Sequence, residues 1–289
     1  MRNVLVAGAT GTVGRELTRL LHERGERVRT LSRDPARAES LRAIAHDVRT
    51  GDALREETLD GALQGIDAVV SCLGGPLHLG WGERRGYPDI DTVANRNLLA
   101  AARAAGVRRF VYLSVHAAPG YDATAYVRAH EAFAAELAGS GVSAGVVCAT
   151  GIFPTFAPFM KMARRGLVCV PGSGRARTNP VHAIDVAEAC AGMLDSDTTR
   201  LSIGGPDVMT RDQLVRLPFQ VLDRVPRVAH VPRLAVLACA ALMRPIHPRL
   251  AQLVDFAARV FTSDCVAPAL GRRRIVDYFA ELASETSAT

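Results

Sequence analysis

Short apolar runs and amphipathic segments take turns along the first 150 residues. Val4-Leu5-Val6-Ala7 is an unbroken apolar run, short enough for a strand covered on both faces. Leu17, Leu20 and Leu21 then recur at helical spacing between Arg15 and Arg24. Val28 to Leu31 predicts a second strand, and Asp34-Pro35 predicts a helix start with an N-cap and a proline at the first helical position. Asp47-Val48 predicts a short third strand and residues 67–72 a fourth. A helix from Asn95 to Ala105, a strand over 109–114, a helix over 125–138 and a strand over 142–148 complete the series. Such alternation predicts right-handed crossovers and an α/β fold: a Rossmann-type, doubly wound parallel sheet with helices on both faces. Ligands then bind beyond the carboxyl ends of the strands, so the turns after each strand line the site.

The rhythm breaks near residue 151. Residues 151–174 are rich in Pro, Phe and Gly, with a short helical stretch at 159–165. A further helix follows Asn179-Pro180, with Asp185 as its expected N-cap, and Leu201-Ser202-Ile203 predicts a last strand. Residues 210–279 are expected to be mainly helical, with Pro218, Pro226, Pro232, Pro245 and Pro248 as breaks. The expected organisation is a dinucleotide-binding core over 1–150, completed by about 176–204. A small, mainly helical substrate lobe is expected from 151–175 and 205–289.

The first strand runs into Gly8-Ala9-Thr10-Gly11-Thr12-Val13-Gly14, and a helix follows. Strand, glycine turn and helix together form the context in which a G-x-x-G-x-x-G match points to a dinucleotide. Gly8 permits the tight turn, Gly11 lets the backbone approach a pyrophosphate, and Gly14 lets the helix pack close to the strand. Free N–H groups at the helix start favour the anion. Cofactor choice is set at the end of the second strand, where an acid binds the ribose hydroxyls of NAD. Ser32 stands there, followed by Arg33, with Arg37 one turn on. A hydroxyl and guanidinium groups suit a 2′-phosphate that an acid would repel, so NADP(H) is expected over NAD(H).

Composition changes the picture little. The formal charge of +6 raises nucleic acid as a partner, but the arginines are scattered and interleaved with acids, so none is expected. The longest strongly apolar run, Leu234 to Met243, is closed by Arg233 and Arg244 and is far short of the ~20 residues of a membrane span. Six single cysteines without a C-x-x-C pair, and a first strand that begins at once, predict a cytoplasmic protein with reduced thiols and no signal peptide. No metal site is expected.

The motifs resemble the atypical short-chain dehydrogenase/reductase superfamily, in the branch near NmrA-like and complex-I-associated NAD(P)-binding proteins. The resemblance rests on Gly8-x-x-Gly11-x-x-Gly14, Gly51-Asp52, Ser114, Ser140-Gly141, Asn179-Pro-Val-His-x-x-Asp185-Val-Ala187 and Gly204-Gly205-Pro206, and covers essentially the whole chain. It implies that Asp52 contacts adenine, although a helix cap explains that residue too. It also implies that Cys72, Leu73, Gly74 and Gly75 line the ribose and nicotinamide.

Reductases of this kind use a serine, a tyrosine and a lysine four residues after the tyrosine. Ser114 and Tyr126 keep a family spacing, but position 130 is His130, and Lys161, the chain's single lysine, lies in a different segment. Three readings stay open. His130 does the lysine's work as a cation; another group, Tyr121 or His116, supplies the proton; or the site is silent. Cys148-Ala149 replaces the Arg-Pro of many relatives. Beyond it Ile152, Phe153, Phe156, Phe159 and Met160 form either an apolar pocket wall or core packing, the former implying a small apolar or aromatic substrate. The leading expectation is an NADP(H)-dependent oxidoreductase acting on an apolar carbonyl, enone or quinone-like molecule. A non-catalytic NADP(H)-binding sensor or assembly protein and a redox-neutral epimerase or cyclase are the alternatives. A homodimer is compatible with the chain but not demanded by it.

Overall fold

The computed structural model describes residues 1–74, 88–121 and 123–287. Strand β1 (Asn3–Ala7) buries Val4, Leu5, Val6 and Ala7 completely, as an apolar run covered on both faces must. It pairs in parallel with β2 (Arg27–Ser32) on one side and β4 (Ala68–Ser71) on the other. With β3 (Asp47–Thr50), β5 (Arg109–Val115), β6 (Ser143–Ala149) and β9 (Arg200–Ile203) it forms a seven-stranded parallel sheet in the order β3-β2-β1-β4-β5-β6-β9. The fold is the Rossmann-like α/β architecture expected. Strand order reverses between β1 and β4, which opens the crevice where such sheets bind ligands.

Alternation along β1 divides the core in two. Val4 and Val6 face α1 (Thr12–Glu23) and α6 (Ala183–Gly192), packing with Leu17, Leu21, Val186 and Cys190. Leu5 and Ala7 face the other layer, where α3 (Val93–Ala104) and α4 (Ala125–Ala138) contribute Leu98, Phe133 and Leu137 against Phe110 and Tyr112 of β5. Helix α2 (Pro35–Glu39) starts as expected: Asp34 is its N-cap and accepts from the N–H groups of Ala36 and Arg37.

Past β6 the chain leaves the sheet through α5 (Ala157–Arg164) and two small pairings that sequence periodicity does not predict. Strand β7 (Val168–Pro171) pairs in parallel with β11 (Val228–Val231), and β8 (Arg177–Thr178) pairs antiparallel with β10 (Met209–Thr210). Helix α7 (Arg211–Val221) begins at a capping box of Thr210 and Gln213. Helices α8 (Arg233–Met243) and α9 (Pro248–Val260) form a hairpin, and α10 (Ile275–Ser287) packs back on α5 and α7.

Two expectations are corrected. Pro218 lies inside α7 and does not break it. The N-cap of α6 is His182, whose Nδ1 accepts from the N–H of Ile184. Asp185 is instead buried within the first turn, where it accepts from the backbone N–H groups of Arg272 and Arg273 and pairs with the Arg273 guanidinium. It anchors the segment before α10 to the sheet layer.

Candidate functional site

Because the sheet is parallel, the turns after β1, β2, β4 and β5 open on one edge. At the first, Gly8 has φ +79°, and a Cβ there would stand 2.6 Å from the Cys72 carbonyl oxygen. A Cβ on Gly14 would overlap the Gly8 carbonyl. The Gly11 N–H bonds the Gly8 oxygen at 2.9 Å, closing the turn. Gly11 then serves as N-cap of α1 without a side chain, and the first turn carries no acid. The N–H groups of Thr12, Val13 and Gly14 therefore lack intrahelical acceptors and meet the crevice with the positive end of the helix dipole. The cradle left by missing side chains and the uncapped helix start both fit a pyrophosphate.

The corner after β2 is basic. Arg33 is exposed, and Arg37 donates from Nη2 to the Thr10 carbonyl at 3.2 Å, bringing its charge onto the glycine turn. Arg15, in the first turn of α1, bonds Ser40 and adds a third guanidinium that sequence reading missed. Its signal was its place directly after Gly14, beside the end of β2. The nearest acid, Asp34, is occupied in capping α2. The Ser32 hydroxyl bonds within its own turn, to Asp34, and is buried.

After β3, the Asp52 carboxylate accepts from the N–H of Leu54, while its backbone exchanges bonds with the Thr58 hydroxyl. This is an Asx turn and not the helix cap that the sequence also allowed: the helical turn over Glu56–Leu59 has Arg55 as its N-cap, with no side-chain capping bond. After β4, the Cys72 side chain packs toward α6, where its hydrogen bond with Cys190, together with burial, holds the Cys190 thiol well above its ordinary pKa. Leu73 is half-buried and Gly74 exposed at the crevice; Gly75 lies outside the described residues.

The end of β5 carries the candidate catalytic set. Phe110 and Tyr112 face α4, so alternation places Ser114 on the same side. Ser114 is 4% exposed, and its Oγ has no hydrogen-bond partner among the described residues. On α4, the ring of Tyr126 meets that of His130 edge-on at 4.6 Å and that of Phe256 at 5.0 Å. His130 is 4% exposed, and its Nδ1 lies 2.6 Å from the Tyr112 hydroxyl. Burial pushes the His130 pKa down to about 4, so the ring is neutral near pH 7. In the tautomer protonated on Nε2, Nδ1 accepts from Tyr112, while Nε2 has no hydrogen-bond partner among the described residues and stands 3.9 Å from Asp91 Oδ2. Asp91 continues a buried polar chain in which its carbonyl accepts from the Asn95 amide and Asn95 Oδ1 accepts from the Ser71 hydroxyl. A cationic His130 standing in for the lysine is not what this environment provides.

Other expected residues lie elsewhere. Tyr121 is 2% exposed, accepts from Arg211 Nη2 at 3.0 Å and donates to the Val260 carbonyl at 3.2 Å. Burial raises its pKa, which makes it a tie between the α4 entrance and α7–α9 and a poor proton donor. Phe153 and Phe156 are buried in a closed cluster with Met160, Leu214, Ile275 and Phe279, the core-packing alternative, while Ile152 is half-buried. His116 bonds Ser202 of β9 at 3.2 Å, and burial lowers its pKa. Cys148, opposite Ser114 in the β5–β6 register, has its thiol pushed up to about 11 by burial.

A parallel sheet with a glycine turn, an uncapped helix start and a basic corner at its carboxyl edge defines a dinucleotide-binding protein of the Rossmann type. The family described as NAD(P)H-binding matches residues 8–197, and the chain belongs to it, in keeping with the resemblance read from its motifs. A (4-alkanoyl-5-oxo-2,5-dihydrofuran-3-yl)methyl phosphate reductase of Streptomyces griseus is 39% identical over 124 residues, 43% of this chain and 38% of the relative. Photosystem II assembly factor Ycf39 of Synechocystis is 32% identical over 118 residues, 41% of this chain and 35% of the relative. The chain thus matches little more than a third of the length of these curated relatives. Among solved structures, an NADPH-dependent quinone oxidoreductase of Escherichia coli complexed with NADPH superposes with a TM-score of 0.74 at 19% identity, over 97% of this chain and 99% of that one. A likeness at that identity establishes the fold alone.

Proposed function

We propose that the protein is an NADP(H)-dependent oxidoreductase that reduces an apolar carbonyl, enone or quinone-like small molecule in the cytoplasm. The observation that carries the reading is Ser114: a buried hydroxyl without a partner among the described residues, on the strand side that packs against α4, at the same sheet edge as the glycine turn. Gly8, Thr10, Gly11, Thr12, Val13 and Gly14 hold the pyrophosphate, while Arg33 and Arg37, with Arg15, hold the 2′-phosphate. Asp52 stands at the adenine end, and Leu73 and Gly74 stand along the ribose and nicotinamide. The bound cofactor supplies hydride. Ser114 Oγ donates to the substrate oxygen and orients it, and Tyr126 gives that oxygen its proton as hydride reaches carbon, producing the alcohol. His130 works as a positioning residue: neutral and fixed by Tyr112, it braces the Tyr126 ring by edge contact.

The test is a titration with NADPH and NADH, followed by NADPH consumption with a panel of quinones and ketones. NADPH is expected to bind at least tenfold more tightly than NADH to the wild type, and Arg33→Ala is expected to erase that difference. Tight NADPH binding without consumption across the panel would favour a sensor or assembly role, the latter being the role by which the Synechocystis relative is named.

A further inference from the structure

Helix α8 breaks the usual pattern of a surface helix. Between Arg233 and Arg244 it has no charged residue and no polar one apart from the thiol of Cys239. Its packed side sets Val236, Leu237, Ala240 and Met243 toward the protein, with α9 as the chief neighbour, and only Ala240 is buried. The opposite side faces water and is just as apolar. Leu234 is 79% exposed and Leu242, two turns along on the same face, is 76% exposed. Val225 and Ile246, flanking the helix in sequence, are 82% and 65% exposed. A solvated helix puts polar residues on that side; an apolar outer side marks a surface that another phase or partner covers.

Charge says which. Residues 224–254 contain five arginines (Arg224, Arg227, Arg233, Arg244 and Arg249) and no aspartate or glutamate. Arg227, Arg233 and Arg244 are exposed and stand in no ion pair among the described residues. A second copy of this face would set arginine against arginine with no acid in the segment to pair them. An anionic lipid surface answers both features, since it takes apolar side chains between its acyl chains and guanidinium groups at its phosphates. At ~1.5 Å per residue, α8 is roughly half the length of the ~30 Å hydrocarbon core, so it lies in the interface.

We infer that the α8–α9 hairpin docks this protein on an anionic lipid surface, with Leu234 and Leu242 inserted and Arg233 and Arg244 at the headgroups. The experiment is co-sedimentation with vesicles of equimolar phosphatidylcholine and phosphatidylglycerol, beside vesicles of phosphatidylcholine alone. Wild type is expected to pellet with the mixed vesicles at least tenfold more strongly than with phosphatidylcholine, and to be released by high salt. Leu234→Glu with Leu242→Glu, and separately Arg233→Glu with Arg244→Glu, should each lower binding at least tenfold while circular dichroism and thermal unfolding stay at wild type. The inference fails if wild type does not pellet with the mixed vesicles, or if both double variants pellet as wild type does. It fails equally if wild type is a dimer in solution that Leu234→Glu with Leu242→Glu dissociates, which would make the face an interface between copies.

Discussion

The Tyr112 hydroxyl and the His130 Nδ1 stand 2.6 Å apart across the β5–α4 interface, and both side chains are buried. Tyr112 thereby holds the imidazole one helical turn below Tyr126. A lysine at position 130 would bring a charge into this space; the histidine brings a neutral ring and a fixed contact. The consequences for pH, stability and turnover can be measured separately.

Acid should destabilise the fold through His130. Its folded pKa, about 4, lies below the ordinary histidine value of about 6.5, so between these values the unfolded chain binds the extra proton and the native state does not. Stability from the neutral ring is fully present above pH ~6.5 and is lost as pH falls toward 4, by up to about 3 kcal/mol at ~1.4 kcal/mol per unit. Urea unfolding at pH 7 and pH 4.5 checks this. His130→Gln should flatten the difference in part, because burial also lowers the pKa values of His116 and His182.

Tyr126→Phe and Ser114→Ala should each retain NADPH binding within a few-fold and lower kcat by about 10²–10⁴, the range for removing an acid–base group or an orienting donor. Steady-state kinetics on the best substrate of the panel reads this. Equal loss of binding in either variant would place the residue in the cofactor site instead.

Tyr121→Phe should act on stability, not on proton transfer. It removes the acceptor for the buried Arg211 guanidinium and the donor to the Val260 carbonyl, a loss of about 1–3 kcal/mol in denaturant unfolding. A variant with wild-type stability and no turnover would return the proton-donor role to Tyr121.

Phe156→Ala should empty part of the α5–α7–α10 cluster and destabilise by about 3–5 kcal/mol, with NADPH affinity of the folded protein unchanged. A shift in substrate KM without loss of stability would instead make Phe156 a pocket wall.

Much of this was legible because local signals and tertiary packing agree. The four-residue run of β1, the glycine turn and Asp34-Pro35 each state their structure within a few residues, and α4 spans the 125–138 expected of it. What spacing could not convey is what lies across the fold. The partner of His130 is 18 residues away on strand β5, and that of Tyr121 is 90 residues away on α7. Both residues keep suggestive positions in the sequence while burial assigns them other work. The β7–β11 pair was hidden for the same reason: Val168 to Val170 is too short to declare itself, and its parallel partner begins at Val228. Phe153 and Phe156 read equally as wall or core until α10 is seen to cover them.

The pairing of β9 with β6 sets a schedule for synthesis. Residues 143–149 finish six strands of the sheet, but the open edge of β6 is covered only when residues 200–203 arrive, after α5, two short strands and α6 have been made. Until then a growing chain on the ribosome presents a bare parallel edge, the kind of surface on which nascent chains stick to one another. A fragment ending near residue 150 would keep that edge for good. Chaperone demand during translation should therefore peak in the interval between β6 and β9, well before α8 leaves the exit tunnel.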